Sequence, residues 1–230
     1  MRPETKMIRS ALVIGGVLLG MAIAVSAAAV EGRPDVVGSA YDESGDELLY
    51  RELHFCRDDS ASCTVDYRDP AGTTIARKKL DYSSGSHRPS LVMRDLRTDK
   101  EYAVEPEVDA PSATVVDAGF DNYVRSQWST LTAGEPVHFR FKVVGFDDPI
   151  PMKAQQEAGC AEGKVCLKVT VDSWLIGWLA DPIELTYARD SQRLLRFRGV
   201  SNLRGPDGES QKVDIRYTYE AADASSVRGE

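Results

Sequence analysis

The chain has 230 residues, of which 28 are lysine or arginine and 36 are aspartate or glutamate, so its formal net charge is −8 at neutral pH. An acidic surface repels nucleic-acid phosphates and anionic membranes, which disfavours nucleic-acid binding and a basic membrane-surface patch. The length suits one domain with a substantial core.

The first 29 residues have the three parts of a secretory signal peptide. A short basic segment precedes an apolar, uncharged stretch from Ala11 to Val25, and a run of small residues follows. We therefore expect cleavage after Ala27 to Ala29. The exported chain then has 25 basic and 35 acidic residues and a formal charge of −10, which favours a soluble periplasmic or secreted protein.

An uncleaved membrane anchor is the alternative interpretation of this N-terminus. The segment from Ala11 to Val30 is 20 residues long, which is enough to span a bilayer. The small residues at its end and the lack of a basic flank after it favour cleavage instead. No cysteine ends the apolar run, so a lipid-anchored form is disfavoured.

The four cysteines form two local pairs, Cys56 with Cys63 and Cys160 with Cys166. Each pair brackets a polar, turn-rich stretch, which predicts two disulfides that clamp two loops in an oxidising compartment. The alternative is a metal site of four thiolates, but zinc pairs usually enclose about two to four residues. These pairs enclose six and five. We expect no metal and no cofactor.

Turn signals recur about every ten residues between β-favouring runs, which is typical of a meandering antiparallel sheet. We expect a flexible leading segment at 30–40, a single β-rich domain at 41–220 and a frayed tail at 221–230. Strands are predicted at 47–55, 64–68, 73–82, 90–96, 101–108, 137–144, 165–171, 183–187, 193–202 and 213–219.

One segment, from Asp117 to Gly134, breaks the β pattern. Its apolar residues recur at helical spacing, which predicts an amphipathic helix at about 118–133 that packs on the sheet. Asp117 can cap its start and Gly134 can close its end. The apolar stripe consists of Phe120, Tyr123, Val124, Trp128 and Leu131.

The densest apolar cluster lies between Ser173 and Ile183, where two tryptophans stand four residues apart and would share one face of a short helix. Such a cluster usually plugs the end of a sheet. It could also form a lip that holds an apolar ligand or touches a membrane. The candidate ligand-binding residues are Trp128, Trp174, Leu175, Ile176, Trp178 and Leu179.

No recognisable catalytic motif accompanies these features. The three histidines, His54, His87 and His138, lie in different segments, so no catalytic residue is assigned. The arginines of the 193–202 run alternate with Leu195, Phe197 and Gly199 and indicate the solvent-facing side of a strand.

Several stretches of the chain resemble a family of uncharacterised secreted bacterial proteins of proteobacterial type. They are 116–125, 134–141, 181–187 and 193–202. The resemblance extends from Tyr41 to Tyr217 and brings no catalytic residues with it, and the two cysteine pairs are not part of its pattern. More loosely, the final strands are similar in pattern to periplasmic lipoprotein carriers, which implies a curved sheet around an apolar hollow.

These observations predict an α+β fold in which a long curved antiparallel sheet, a half-barrel or open barrel, is covered by one amphipathic helix and one short apolar helix. The favoured function is a non-enzymatic cell-envelope protein that binds a lipid or other apolar ligand in a hollow between sheet and helix. A structural or protein-binding envelope factor and a hydrolase with an unrecognised site are the alternatives. Membrane contact is expected through 173–183 or an uncleaved N-terminus.

Overall fold

The computed structural model of the protein describes residues 32–56, 61–105, 113–144, 148–173 and 181–220. The expected signal peptide, the expected short apolar helix at 174–180 and the expected tail at 221–230 lie outside these ranges. Within them, no helix has the length and apolar character needed to cross a membrane.

The described chain is mostly β, with short helices only. Its helices are α1 (Gly119–Ser126) and α2 (Trp128–Thr132). Its strands are β1 (Val36–Tyr41), β2 (Leu48–Cys56), β3 (Ser62–Arg68), β4 (Thr74–Asp81), β5 (Ser90–Asp95), β6 (Lys100–Val104), β7 (Thr114–Val116), β8 (Val137–Lys142), β9 (Ile150–Glu157), β10 (Lys164–Val171), β11 (Ile183–Ala188), β12 (Leu194–Val200) and β13 (Lys212–Tyr219).

All thirteen of these strands belong to one sheet, in the order β6, β5, β4, β3, β2, β1, β13, β12, β11, β10, β9, β8, β7. The chain therefore starts in the middle of the sheet, meanders out to one edge, crosses to the other edge and meanders back. Neighbouring strands are antiparallel except β7 and β8, which are parallel. The sheet is nearly closed and barrel-like, which confirms the predicted curved, largely antiparallel sheet in its coarse form.

Alternating side chains explain why the predicted strands form. In β10, Val165, Leu167 and Val169 are buried, whereas the residues between them are partly exposed. The turn between β3 and β4 is closed by Gly72, which donates its backbone N–H to the Asp69 carbonyl at 2.9 Å. Gly72 has a φ of +90°, a conformation that favours glycine and suits a type I turn at a hairpin.

Three strands were not predicted from the sequence. The prediction of a flexible leading segment at 30–40 was wrong, because β1 pairs with β2 on one side and with β13 on the other. This strand is held by a partner about 180 positions away along the chain, which a local pattern does not reveal. β7 is only three residues long, and β9 contains Pro151 and a polar run that hide its alternation.

The predicted single helix is two short helices that break at Gln127. The Ser126 hydroxyl donates to the Tyr123 carbonyl at 2.7 Å, a local bond that competes with the helical pattern. Asp117 makes no cap hydrogen bond, so its predicted capping role was wrong; Ala118 holds the N-cap position. Gly134 closes the second helix as predicted, with a φ of +88° and its N–H bonded to the Leu131 carbonyl.

The core consists of two apolar clusters inside the curved sheet. The first lies on β1 to β6 and β13 and also includes Val116 and Leu203. The second lies between the two helices and β8 to β11, and the predicted helical stripe supplies its helical side. Phe197 of β12 packs against both clusters, so the two form one continuous interior.

Contacts between β7 and the β4–β5 region bring the two ends of the sheet together. The Val116 N–H donates to the His87 carbonyl at 2.9 Å. Next to it, Asp117 accepts from the Lys78 ammonium at 2.6 Å and from the Asn202 side-chain amide at 2.9 Å. We call Lys78, Asp117 and Asn202 the closing latch. Gly119 permits this approach, because a Cβ there would collide with the His87 carbonyl.

Candidate functional site

Polar side chains lie among the residues of both apolar clusters: Tyr50 and Tyr67 belong to the first cluster and Tyr187 to the second. They come from inward-facing positions of β2, β3, β11 and β13 and from α1, and we call them the interior polar band. Its members are Tyr50, Glu52, His54, Tyr67, Asp121, Arg125, Tyr187, Tyr217 and Tyr219.

Glu52 is the buried carboxylate of this band. The alternation of β2 points Tyr50, Glu52 and His54 to the same inner face. The Glu52 side chain is 8% exposed, and its Oε2 accepts from the Tyr217 hydroxyl at 3.3 Å and lies 3.2 Å from His54 Nε2. Burial, together with the negative charge of Glu52, raises the pKa of Tyr50, Tyr67 and Tyr217. These tyrosines therefore keep their protons at neutral pH and remain hydrogen-bond donors.

Asp121 and Arg125 bring an ion pair into the band from α1. The guanidinium of Arg125 lies 2.6 Å from Asp121 Oδ2, one helical turn away. Burial raises the pKa of Asp121, and the charge of Arg125 opposes that rise. About a third of each side chain is open to solvent, 33% for Asp121 and 38% for Arg125. The ion pair is therefore partly accessible to solvent. We call Asp121, Arg125 and the neighbouring Tyr187 the ion-pair site.

Tyr187 faces this pair from β11 and has no exposed surface. Burial first, and then the charge of Asp121, raise the pKa of Tyr187. The Tyr187 hydroxyl and Asp121 Oδ1 are both buried, and within the described ranges their polar interaction is with each other. Two polar atoms that share one interaction have spare hydrogen-bonding capacity, which a polar atom of a ligand or an ordered water can use.

Tyr219 lies near the ion-pair site, since the charges of Asp121 and Arg125 both affect its pKa. Its hydroxyl donates to the Leu194 carbonyl at 2.8 Å, and the Arg193 guanidinium lies 4.9 Å from its ring centre. Burial raises the pKa of Tyr219 to about 12. The Tyr219 hydroxyl is thus held by the backbone, whereas the Tyr187 hydroxyl interacts with Asp121.

Aromatic rings fill the space between the helices and the sheet. The ring centres of Phe120 and Phe139 are 5.4 Å apart, and those of Tyr123 and Phe139 are 5.3 Å apart. Trp128, a predicted ligand-binding residue, packs edge-on against Tyr187 at 5.7 Å. A ligand between helix and sheet would have to displace these rings, so the part that a ligand can reach without displacing them is the partly exposed ion pair of Asp121 and Arg125.

The other predicted ligand-binding residues, Trp174, Leu175, Ile176, Trp178 and Leu179, lie outside the described ranges. A separate open recess of about 320 Å³ lies at the β9–β10 turn, where Glu157, Lys164 and Arg189 contribute to its lining. That recess is formed by the turn itself and is remote from the helices.

Both predicted disulfides are confirmed. Cys56 and Cys63 stand directly opposite each other in β2 and β3, and Cys160 bonds to Cys166 across the β9–β10 turn. The interpretation as a four-thiolate metal site was therefore wrong. His54 and the sulfurs of Cys56 and Cys63 lie within 4.8 Å of one another, but the two sulfurs are bonded to each other and are not metal ligands in this state.

The histidines lie apart, as their sequence positions suggested. His138 Nδ1 is 2.7 Å from an Asp172 carboxylate oxygen on the exposed outer face. The His87 ring meets the Tyr123 ring edge-on at 5.4 Å, and burial, followed by the charge of Arg88, lowers the pKa of His87. In the described part of the chain, none of the three imidazoles is hydrogen-bonded to a serine or threonine hydroxyl that it could activate.

Sequence reasoning missed the interior polar band, although part of its signal was visible. One strand carries Tyr50, Glu52 and His54 at alternate positions, so they share one face of the sheet. The pattern alone does not show whether that face is exposed to solvent or lies in the interior. Asp121 and Arg125 each follow a residue of the apolar stripe and are separated by one helical turn, a pattern that places a charged pair beside a buried surface.

Comparison with known proteins gives no match to a family model, to a curated protein or to a solved structure. The geometry itself therefore defines the class: a disulfide-bonded, barrel-like sheet with two apolar clusters and an interior polar band.

Proposed function

We propose that the protein is a non-enzymatic binding protein, periplasmic or secreted, that holds a lipid-like, amphipathic ligand at the interior polar band. The observation that carries this proposal is the buried contact between Tyr187 and Asp121, whose oxygens have no further partner within the described ranges, beside an ion pair that solvent reaches. Buried polar groups normally use their hydrogen-bonding capacity, so spare capacity beside a solvent-accessible ion pair favours a bound polar group.

The chemistry of the ion-pair site defines the polar end of such a ligand. Asp121 Oδ1 accepts hydrogen bonds, Arg125 donates them and the Tyr187 hydroxyl can do either. A head group with a hydroxyl or an amine and a nearby acceptor would satisfy all three. Tyr187 belongs to the second apolar cluster, so apolar side chains adjoin the site and favour a ligand with an apolar body.

The compartment assigned in the proposal rests on the cysteines and the N-terminus. Two disulfides fit an oxidising extracellular or periplasmic location. The signal-peptide pattern of the first 29 residues supports export. In this proposal, Trp128, which packs against Tyr187, contributes to the wall against which the body of the ligand packs.

Native mass spectrometry of protein purified from its own host tests the proposal. We expect a bound species of lipid-like mass and binding of a fluorescent fatty acid. Tyr187→Phe should weaken that binding about fivefold, since one neutral hydrogen bond is worth about 1 kcal/mol. It should lower the free energy of unfolding by no more than about 1 kcal/mol, because the only side-chain interaction of the hydroxyl that it removes is with Asp121.

Tyr102→Phe on β6 is the matched control and should bind as the wild type does. An unliganded mass together with no fatty-acid binding would contradict the proposal. So would a Tyr187→Phe protein that binds with unchanged affinity, because the Tyr187 hydroxyl would then interact only with Asp121 and not with a ligand.

A further inference from the structure

Arginines form a continuous row on the outer face of the sheet, even though the chain as a whole is acidic. Arg196 of β12 is opposite Arg216 of β13, and Arg216 is opposite Ser39 of β1. Ser39 is also opposite Arg51 of β2, and Arg51 is opposite Arg68 of β3. Five neighbouring strands, about 4.8 Å apart, thus carry the row over about 19 Å. We call these five residues the arginine row.

The row faces solvent. Tyr50 and Glu52 on either side of Arg51 are buried, so Arg51 points outward by the alternation of the strand, and it is exposed. Arg196 and Arg216 are also exposed, with 44% and 49% of their side chains open to solvent. Arg68 is partly exposed at 32%.

Two buried carboxylates neutralise only part of this positive charge. Asp214, whose side chain is 1% exposed, accepts from Arg196 at 2.6 and 2.8 Å and from Arg216 at 3.0 Å. Asp66, with no exposed surface, is held by Arg77 of β4, and Arg68 lies 3.9 Å from it. The four arginines of the row and Arg77 therefore exceed their carboxylates by three charges.

The middle of the row has donors that the described chain does not use. No ion pair or hydrogen bond of the Arg51 side chain occurs within the described ranges. The Nε of the adjacent Arg68 is buried and has no hydrogen-bond partner there either. A buried guanidinium N–H without an acceptor is costly and favours an anion at this position.

The shape of the row selects among anions. Guanidinium groups suit the paired oxygens of phosphate, and a row of about 19 Å exceeds one phosphate group. The row crosses the strands and therefore follows the curved direction of the barrel. A planar bilayer or a rigid duplex touches only part of such a curve, whereas a flexible chain can follow it.

We propose that the arginine row binds a flexible linear polyphosphate. This site is on the convex face and is independent of the interior polar band. Phosphate groups along the chain would meet Arg196, Arg216, Arg51 and Arg68 in turn, with the Ser39 hydroxyl as a donor at the centre. Because the remainder of the protein is acidic, the affinity should fall steeply with salt.

Titration of the protein with sodium polyphosphate over a range of salt concentrations tests this site. The double variant Arg51→Ala/Arg68→Ala should bind at least about tenfold more weakly, and the slope of log affinity against log salt should fall by about two. Arg140→Ala/Arg189→Ala removes the same charge from exposed positions elsewhere and should change affinity less than about threefold.

Ser39→Asp is the second variant, because it places a carboxylate at the centre of the row and removes no arginine. It should abolish binding while the thermal unfolding of the protein is retained. Equal losses in the two double variants, or no binding of polyphosphate by the wild type, would overturn the proposal. Binding to phosphatidylglycerol vesicles or duplex DNA as tight as to polyphosphate would also overturn it, since the row would then not select a flexible chain.

Discussion

At the scale of single residues, the charges that matter most are the buried ones. Asp66 and Asp214 point to the outer face, yet arginines cover both carboxylates almost completely. The hydrogen bonds from Arg196, and then those from Arg216, lower the pKa of Asp214 below its ordinary value of 3.8. Such a carboxylate stabilises the folded protein only while it is ionised.

Acid unfolding should therefore depend on Asp214. Its folded-state pKa is lowered, so its contribution to stability is present above about pH 3.8 and is lost as the pH falls through the lowered pKa. Asp214→Asn should reduce the urea midpoint at pH 7 and then lose less on acidification than the wild type. The exposed Asp190→Asn is the control, and its urea midpoints from pH 7 to pH 2 should parallel those of the wild type. Parallel behaviour of Asp214→Asn would refute the assignment.

At the scale of elements, the closing latch is the contact that turns a curved sheet into a nearly closed one. Lys78 comes from β4 and Asp117 from the turn between β7 and α1, and their side chains are 4% and 7% exposed. Asp117 has a φ of +34°, an uncommon backbone conformation for a residue other than glycine. The contact that Asp117 makes with Lys78 across the barrel thus outweighs the backbone preference of an aspartate.

Removing one partner of the latch should be strongly destabilising. Lys78→Met leaves the Asp117 carboxylate buried with Asn202 alone, which should reduce the free energy of unfolding by about 3–5 kcal/mol. Lys79→Met, at the adjacent exposed position of β4, should change it by less than about 0.5 kcal/mol. Urea unfolding of both variants gives the comparison. A small effect of Lys78→Met would mean that closure does not depend on this pair.

The strands and helices also show which parts of the fold can be predicted from sequence patterns. Alternation predicted β2 and β10, because each strand has one buried face, and helical spacing predicted the stripe that packs the second cluster. Neither pattern predicts β1, whose partner β13 is remote in sequence, or the break at Gln127. The ion-pair site could not be predicted either, since it depends on α1 and β11 meeting in space rather than on a sequence motif.

At the scale of the whole molecule, two disulfides and one shared interior hold the sheet together. Cys56–Cys63 lies at the end of the β2–β3 hairpin and Cys160–Cys166 at the β9–β10 turn, so each half of the sheet has one crosslink. Both crosslinks span short loops, of seven and six positions. Short loops lose little entropy on closure, so each bond has a moderate effect.

Replacing both cysteines of either pair by serine should lower the free energy of unfolding by about 2 kcal/mol, because the crosslink no longer restricts the unfolded chain. The two double variants should be measured separately by urea unfolding under oxidising conditions. Addition of a dithiol reductant to the wild type should reproduce the sum of the two losses. A wild type that is equally stable with and without reductant would contradict a stabilising role for both bonds.

The order of the strands also has a kinetic consequence. Within each meander, consecutive strands pair with their sequence neighbours, so their contacts are local and form rapidly. The pairing of β1 with β13 instead joins residues 36–41 to residues 214–219. During synthesis from the N-terminus, β1 is made first. Its second partner, β13, is made only after nearly the whole sequence has been added. Until then the edge of β1 is open to other chains, and the slowest and most aggregation-prone step of folding is the meeting of the first strand with the last.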